Sequence, residues 1–84
     1  MNDTPYIEVT LFPMVSGEEG DTLWDRHLQD KPDYFDVLVI KSCFPEANEI
    51  LEEYEGLTEM DAYLTLADML DKYPGSLRED LFHG

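Results

Sequence analysis

The sequence predicts a small single-domain α+β fold over residues 1–84. It has a short sheet of two or three strands, one short helix, and a C-terminal pair of amphipathic acidic helices. Three observations predict it. Two runs, YIEVTLF and YFDVLVI, have the composition and period of strands. The stretch EANEILEEYEGLTEMDAYLTLADMLD carries apolar residues at helical spacing with carboxylates between them. The chain has 84 residues, 43% of them apolar and 12% aromatic, which suits one core and is too apolar for a disordered acidic tail.

Ile7, Val9 and Leu11 alternate with Glu8 and Thr10, the pattern of a half-buried strand that Pro13 ends. Met14 to Asp21, MVSGEEGD, reads as a loop punctuated by Gly17 and Gly20. Thr22 reads as an N-cap, with Asp25 completing a capping-box pattern. Leu23, Trp24, His27 and Leu28 then share one face of a short helix that stops near Asp30, before Pro32. Tyr34 to Ile40 is nearly all apolar, β-branched or aromatic, as a central strand is.

Pro45 suits the first turn of a helix. Ala47, Ile50, Leu51 and Tyr54 form a stripe at i, i+3, i+4 and i+7, and Gly56 reads as its C-cap. Thr58 with Asp61 opens a second helix whose buried stripe is Met60, Tyr63, Leu64, Ala67 and Leu70. Pro74-Gly75 breaks it, and Ser76 with Glu79 opens a last turn or two through Leu81. Two strands alone make a poor sheet. Either a third strand lies in Met14 to Ser16, or a second copy completes the sheet as a homodimer.

Twenty acids stand against five bases, a formal charge of −15. Such a chain repels nucleic acid and anionic membrane surfaces, and its natural partner is a basic surface or a cation. Cys43 is the only cysteine, so no intrachain disulfide forms, which fits a reducing compartment such as a bacterial cytoplasm. MNDTPYIEV has neither the basic nor the apolar region of a signal peptide, and no apolar run approaches the roughly 20 residues of a bilayer span.

Catalytic signals are thin. The two histidines, His27 and His83, have no nucleophile at a recognisable spacing, and Cys43 reads as a small buried thiol. Phosphate-loop, zinc and EF-hand patterns are all missing, and the acids of GEEGD read as solvated. Trp24, Tyr54, Tyr63 and Tyr73 read as core or half-buried aromatics. The expectation is therefore a non-enzymatic protein without a cofactor or metal.

The informative feature is the interval Ser42 to Asp71, which holds nine acids and no Lys or Arg. Like charges at i, i+3 and i, i+4, such as Glu46 with Glu49 and Glu49 with Glu53, each cost a few tenths of a kcal/mol in a helix. On a helix rising about 1.5 Å per residue, the four acids from Glu46 to Glu53 give roughly one charge per 3 Å. Duplex DNA shows one per about 1.7 Å, and one of its strands one per about 3.4 Å. A rigid acidic helix would thus present charge at nearly the density of a phosphate strand.

Part of the chain, about Tyr34 to Leu81, resembles the ArdA-type antirestriction proteins, acidic DNA mimics that block type I restriction–modification enzymes. The resemblance lies in FDVLVI, then EILEEYEGLTEMD, then YLTLADMLDKYPGSLREDL, with Glu53-Tyr54 followed by Leu57, Glu59 and Met60. It implies a DNA-mimic inhibitor of a basic nucleic-acid-binding enzyme of the restriction–modification or CRISPR kind. The implied partner-binding carboxylates are Glu46, Glu49, Glu52, Glu53, Glu55, Glu59, Asp61, Asp68 and Asp71. The residues leave a second reading open, an acidic adaptor or dimer module that binds through an apolar patch such as Phe12, Trp24 and Phe44.

Overall fold

In the computed structural model, which describes residues 5–42 and 48–84, the elements are β1 (Tyr6–Val15), β2 (Thr22–Leu23), β3 (Tyr34–Ser42), β4 (Glu49–Leu57), α1 (Glu59–Lys72) and β5 (Leu77–Asp80). The alternating β1 and apolar β3 pair antiparallel along their whole length, Tyr6 opposite Ser42 and Met14 opposite Tyr34. β4 adds antiparallel to the far side of β3. The other edge of β1 is shared: β5 lies parallel to Glu8–Leu11, and β2 lies antiparallel to Met14 and Val15. Among the described residues the sheet thus has five strands, with β4 at a free edge.

Residues paired across strands point to the same side. On one side Val9 and Leu11 of β1 meet Val39, Val37 and Phe35 of β3, and α1 covers them with Ala62, Leu66 and Met69. These eight residues are the buried core. Ala62, Leu66 and Met69 follow i, i+4 and i+7, the stripe a helix needs to lie on a sheet. Thr58 caps α1, its hydroxyl accepting the Asp61 N–H at 3.1 Å.

This inventory corrects the sequence expectation in four places. The strand predicted to stop at Pro13 continues to Val15 and absorbs most of Met14 to Ser16. Pro13 is tolerated because its carbonyl accepts the Trp24 N–H at 2.9 Å, so its missing donor falls on the thin β2 side and not in the β1–β3 ladder.

The predicted helix after Thr22 is a single turn. Thr22 pairs with Val15, and Asp25 does the capping instead. The Asp25 carboxylate accepts the His27 N–H at 2.8 Å, and its carbonyl accepts those of Leu28 and Gln29. One turn without a packed face does not propagate.

The expected C-terminal pair of helices is one helix. Glu49–Leu57 is strand β4, and the segment after Ser76 is strand β5. Ala47 and the Pro45 helix start lie outside the described residues. An apolar strand such as β3 with an unpaired edge offers the next segment a full ladder of hydrogen bonds, which a short isolated helix cannot match. Finally, α1 is rotated from its predicted stripe: Met60 is 73% and Leu64 58% exposed, and Ala67 is exposed too. Small Ala62 sits against the sheet in their place.

Candidate functional site

The predicted carboxylates divide into four groups, of which Glu52 stands alone. Glu46 lies outside the described residues. Glu49, Glu53 and Glu55 are exposed on the free edge strand β4. Glu59, Asp61, Asp68 and Asp71 are exposed on α1. The acids therefore do not share one helical rod. At about 3.3 Å per residue, the three exposed acids of β4 give roughly one charge per 7 Å. Along α1 the four give roughly one per 5 Å. The phosphate-strand density inferred for Glu46 to Glu53 depended on a helix and does not hold for that segment.

Glu52 is not a surface carboxylate. It points to the α1 side of the sheet, paired with Val39, and its side chain is 17% exposed. The Lys72 ammonium lies 2.7 Å away, and the Tyr54 and Tyr73 hydroxyls each donate to it at 2.5 Å. Lys72, then Tyr54 and Tyr73, hold its carboxyl down to about 2. The same contact with Glu52 raises Lys72. Glu52 ties the C-terminal turn of α1 to β4, a structural task.

Asp80 forms a second internal knot. Its side chain is 1% exposed. It accepts the Tyr63 hydroxyl at 2.8 Å, the Phe82 and His83 N–H groups at 2.9 and 3.0 Å, and Arg78 at 3.3 Å. Burial works against ionisation, but the His83, Tyr63 and Phe82 donors outweigh it and hold the carboxyl below its usual range. Burial and the Asp80 contact push the Tyr63 hydroxyl strongly up.

These knots shape the charge left outside. Lys72 and Arg78, two of only five bases, are taken up by Glu52 and Asp80. Fourteen of the eighteen described carboxylates are exposed. Among the described residues, Glu59 alone of these has an ion-pair partner, His83 at 3.7 Å. The chain extends over 42 × 26 × 20 Å. Its net −15 along the long axis is roughly one charge per 3 Å, between the axial densities of a DNA duplex and a single strand.

Several exposed acids also order their own loops. Asp33 accepts the Ser16 N–H at 2.9 Å, and Asp21 accepts the Tyr34 hydroxyl. Asp21 then raises Tyr34 to about 12. Among the described residues no three His, Cys, Asp or Glu side chains converge as metal ligands do, and no helix is long and apolar enough to cross a membrane.

The predicted apolar patch is not one surface. Trp24 is half-buried, packs edge-on against Phe82 at 5.1 Å, and donates its indole N–H to the Gln29 carbonyl at 2.9 Å. Phe12 lies on the opposite side of the sheet from α1, and Phe44 lies outside the described residues. Sequence reasoning missed that, among the described residues, no element packs on this second side. The signal was in YFDVLVI: a strand apolar at successive positions offers apolar groups to both faces, and one helix covers only one of them.

Comparison of the chain with protein-family models, curated proteins and solved structures gave no match.

Proposed function

We propose that this protein is a non-enzymatic acidic inhibitor whose carboxylate surface occupies the nucleic-acid groove of a bacterial defence enzyme, in the manner of the ArdA-type proteins. One observation carries the reading: Lys72 and Arg78 are bound to the internal Glu52 and Asp80, and among the described residues no Lys or Arg forms an ion pair with an exposed carboxylate, Lys41 being only the cross-strand neighbour of Glu49. A chain that used acids only for solubility would gain from pairing them. An unpaired array attracts a Lys/Arg-lined groove and gains affinity from released counterions. Glu49, Glu53 and Glu55 on the β4 edge, with Asp61, Asp68 and Asp71 on α1, carry the contact, and Glu52 is withdrawn from it.

The test is inhibition of DNA cleavage by purified restriction–modification and CRISPR enzymes. The variant joins Glu53→Lys, Glu55→Lys, Asp68→Lys and Asp71→Lys. It is expected to keep the wild-type circular dichroism and lose inhibition. Binding of the wild type should fall about a thousandfold between about 50 and 200 mM salt if some six contacts form, and added duplex should displace it. Inhibition that survives the four reversals, or binding that ignores duplex, refutes the mimic.

The adaptor reading has one observation of its own, the uncovered sheet face.

A further inference from the structure

Among the described residues no element packs on the sheet face away from α1, and that face, half-buried at its centre by its own side chains, carries a pattern. Cross-strand pairing places Ile50 beside Ile40, Glu8 beside Ile40, Thr10 beside Leu38, and Leu38 beside Glu53. Phe12 lies beside Asp36, and Met14 lies between Tyr34 and Leu23. Read across the rows, Ile50, Ile40, Leu38, Phe12, Met14 and Leu23 form a diagonal apolar stripe from β4 to β2. Ile50 is 56% exposed and Leu23 is exposed, so the stripe is wet at both ends. Carboxylates flank it on both sides, Glu53 on one and Glu8 and Glu79 on the other. No Lys or Arg of the strands faces this side, because Lys41 and Arg78 pair with Ile7 and Val9 and so point toward α1.

We infer that this stripe is a docking site for an amphipathic helix of a partner protein, with an apolar ridge flanked on both sides by Lys or Arg. Charge complementarity selects the occupant. A second copy would set Glu8, Glu53 and Glu79 against their own kind on a chain of charge −15. A helix with cations on either side of its ridge meets acids on both flanks and apolar residues between them. The diagonal crosses three strand spacings and six residues of strand, about 25 Å, which some sixteen residues of helix would cover. Occupancy turns the two-layer fold into helix–sheet–helix, burying both faces of β3. The inference does not rest on DNA mimicry: the stripe lies on the side of the sheet away from α1 and shares only Glu53 with the mimic contact.

The experiment is a titration of the isotope-labelled protein with a sixteen-residue peptide, Leu at positions of one helical stripe and Lys on both flanks. A peptide of the same composition in scrambled order is the control. Amide shifts are expected at the stripe residues, with the scrambled peptide binding at least about tenfold more weakly, as the loss of an interface anchor would predict. The pair Ile50→Ser and Leu23→Ser, both at exposed positions, should weaken binding by a similar factor. Asp68→Lys with Asp71→Lys, which reverses charge on the α1 part of the mimic contact, should leave it within about twofold. Equal binding of both peptides, shifts centred on α1, or sedimentation showing a dimer that Ile50→Ser dissolves would each overturn the inference.

Discussion

Replacing Asp80 by alanine tests the internal-carboxylate argument most directly. Asp80 gathers a helix hydroxyl, two backbone N–H groups and Arg78 onto one carboxylate that is almost fully buried. Alanine leaves all four without their acceptor. The His83 N–H belongs to an exposed residue and finds water, and Arg78 is half exposed and loses little. The Tyr63 hydroxyl and the Phe82 N–H are half-buried, and each orphaned donor costs about 1–3 kcal/mol. Because both groups keep some access to water, each falls in the lower part of that range and the total is about 2–4 kcal/mol, most of the roughly 5 kcal/mol that holds a small domain together. With a urea slope of about 1–1.5 kcal/mol per M, the unfolding midpoint should fall by about 1.5–4 M. Asp80→Asn keeps one acceptor and should lose about half as much. The adjacent, exposed Glu79→Ala should stay within about 0.5 kcal/mol of wild type. An Asp80→Ala midpoint within about 0.5 M of wild type would refute the reasoning.

Glu52, whose folded carboxyl sits at about 2 against an ordinary 4.5, contributes stability that is present above the ordinary value and disappears as pH falls through the folded one. Glu52→Gln should therefore flatten the loss of stability between about pH 4.5 and 2, read by urea midpoints at stepped pH. Thr58→Ala removes the α1 N-cap and should cost about 1 kcal/mol, with reduced helical circular dichroism on heating. Gly56 has φ +70° and donates its N–H to Asp36 at 3.1 Å, so Gly56→Ala should cost about 1 kcal/mol in the same assay. Because the exposed acids repel one another, added sodium chloride should raise the melting temperature, and Asp68→Asn with Asp71→Asn should reduce that salt response.

The strands β1 and β3 were legible because each has a pattern that only a sheet explains. β4 was not, and its bulges say why. An extra residue, Leu51, sits between the Ile40–Ile50 and Val39–Glu52 pairs, and another between Val37–Tyr54 and Phe35–Leu57. Each insertion stretches the two-residue period to three. Leu51, Tyr54 and Leu57, all packed against the core, therefore recur at spacings that read as a helix. β5 was hidden for a different reason. Four residues with one buried side chain carry no period, and only the unpaired edge of β1 recruits them. The excess of acid was plain in the sequence, but not which acids are internal. Glu52 and Asp80 look like their neighbours until Tyr54, Tyr73 and Tyr63 are brought to them by the fold. α1 was legible as a helix with its cap, while its rotation depended on which stripe the sheet accepts.

The parallel pairing of β5 with β1 also has a consequence for how the chain acquires its structure. Glu8 meets Leu77, so the pairing closes a loop of roughly seventy residues, whereas β3 and β4 meet over a short connection. During synthesis the β1–β3–β4 meander can assemble and α1 can settle on it while one edge of β1 still lacks its partner. Asp80 arrives after these elements, and its contact with Tyr63 then fastens β5 to a helix already in place. Fast formation of the meander followed by a slower locking step is the kinetic signature this topology implies, and the slow step should be the one that Asp80→Ala removes.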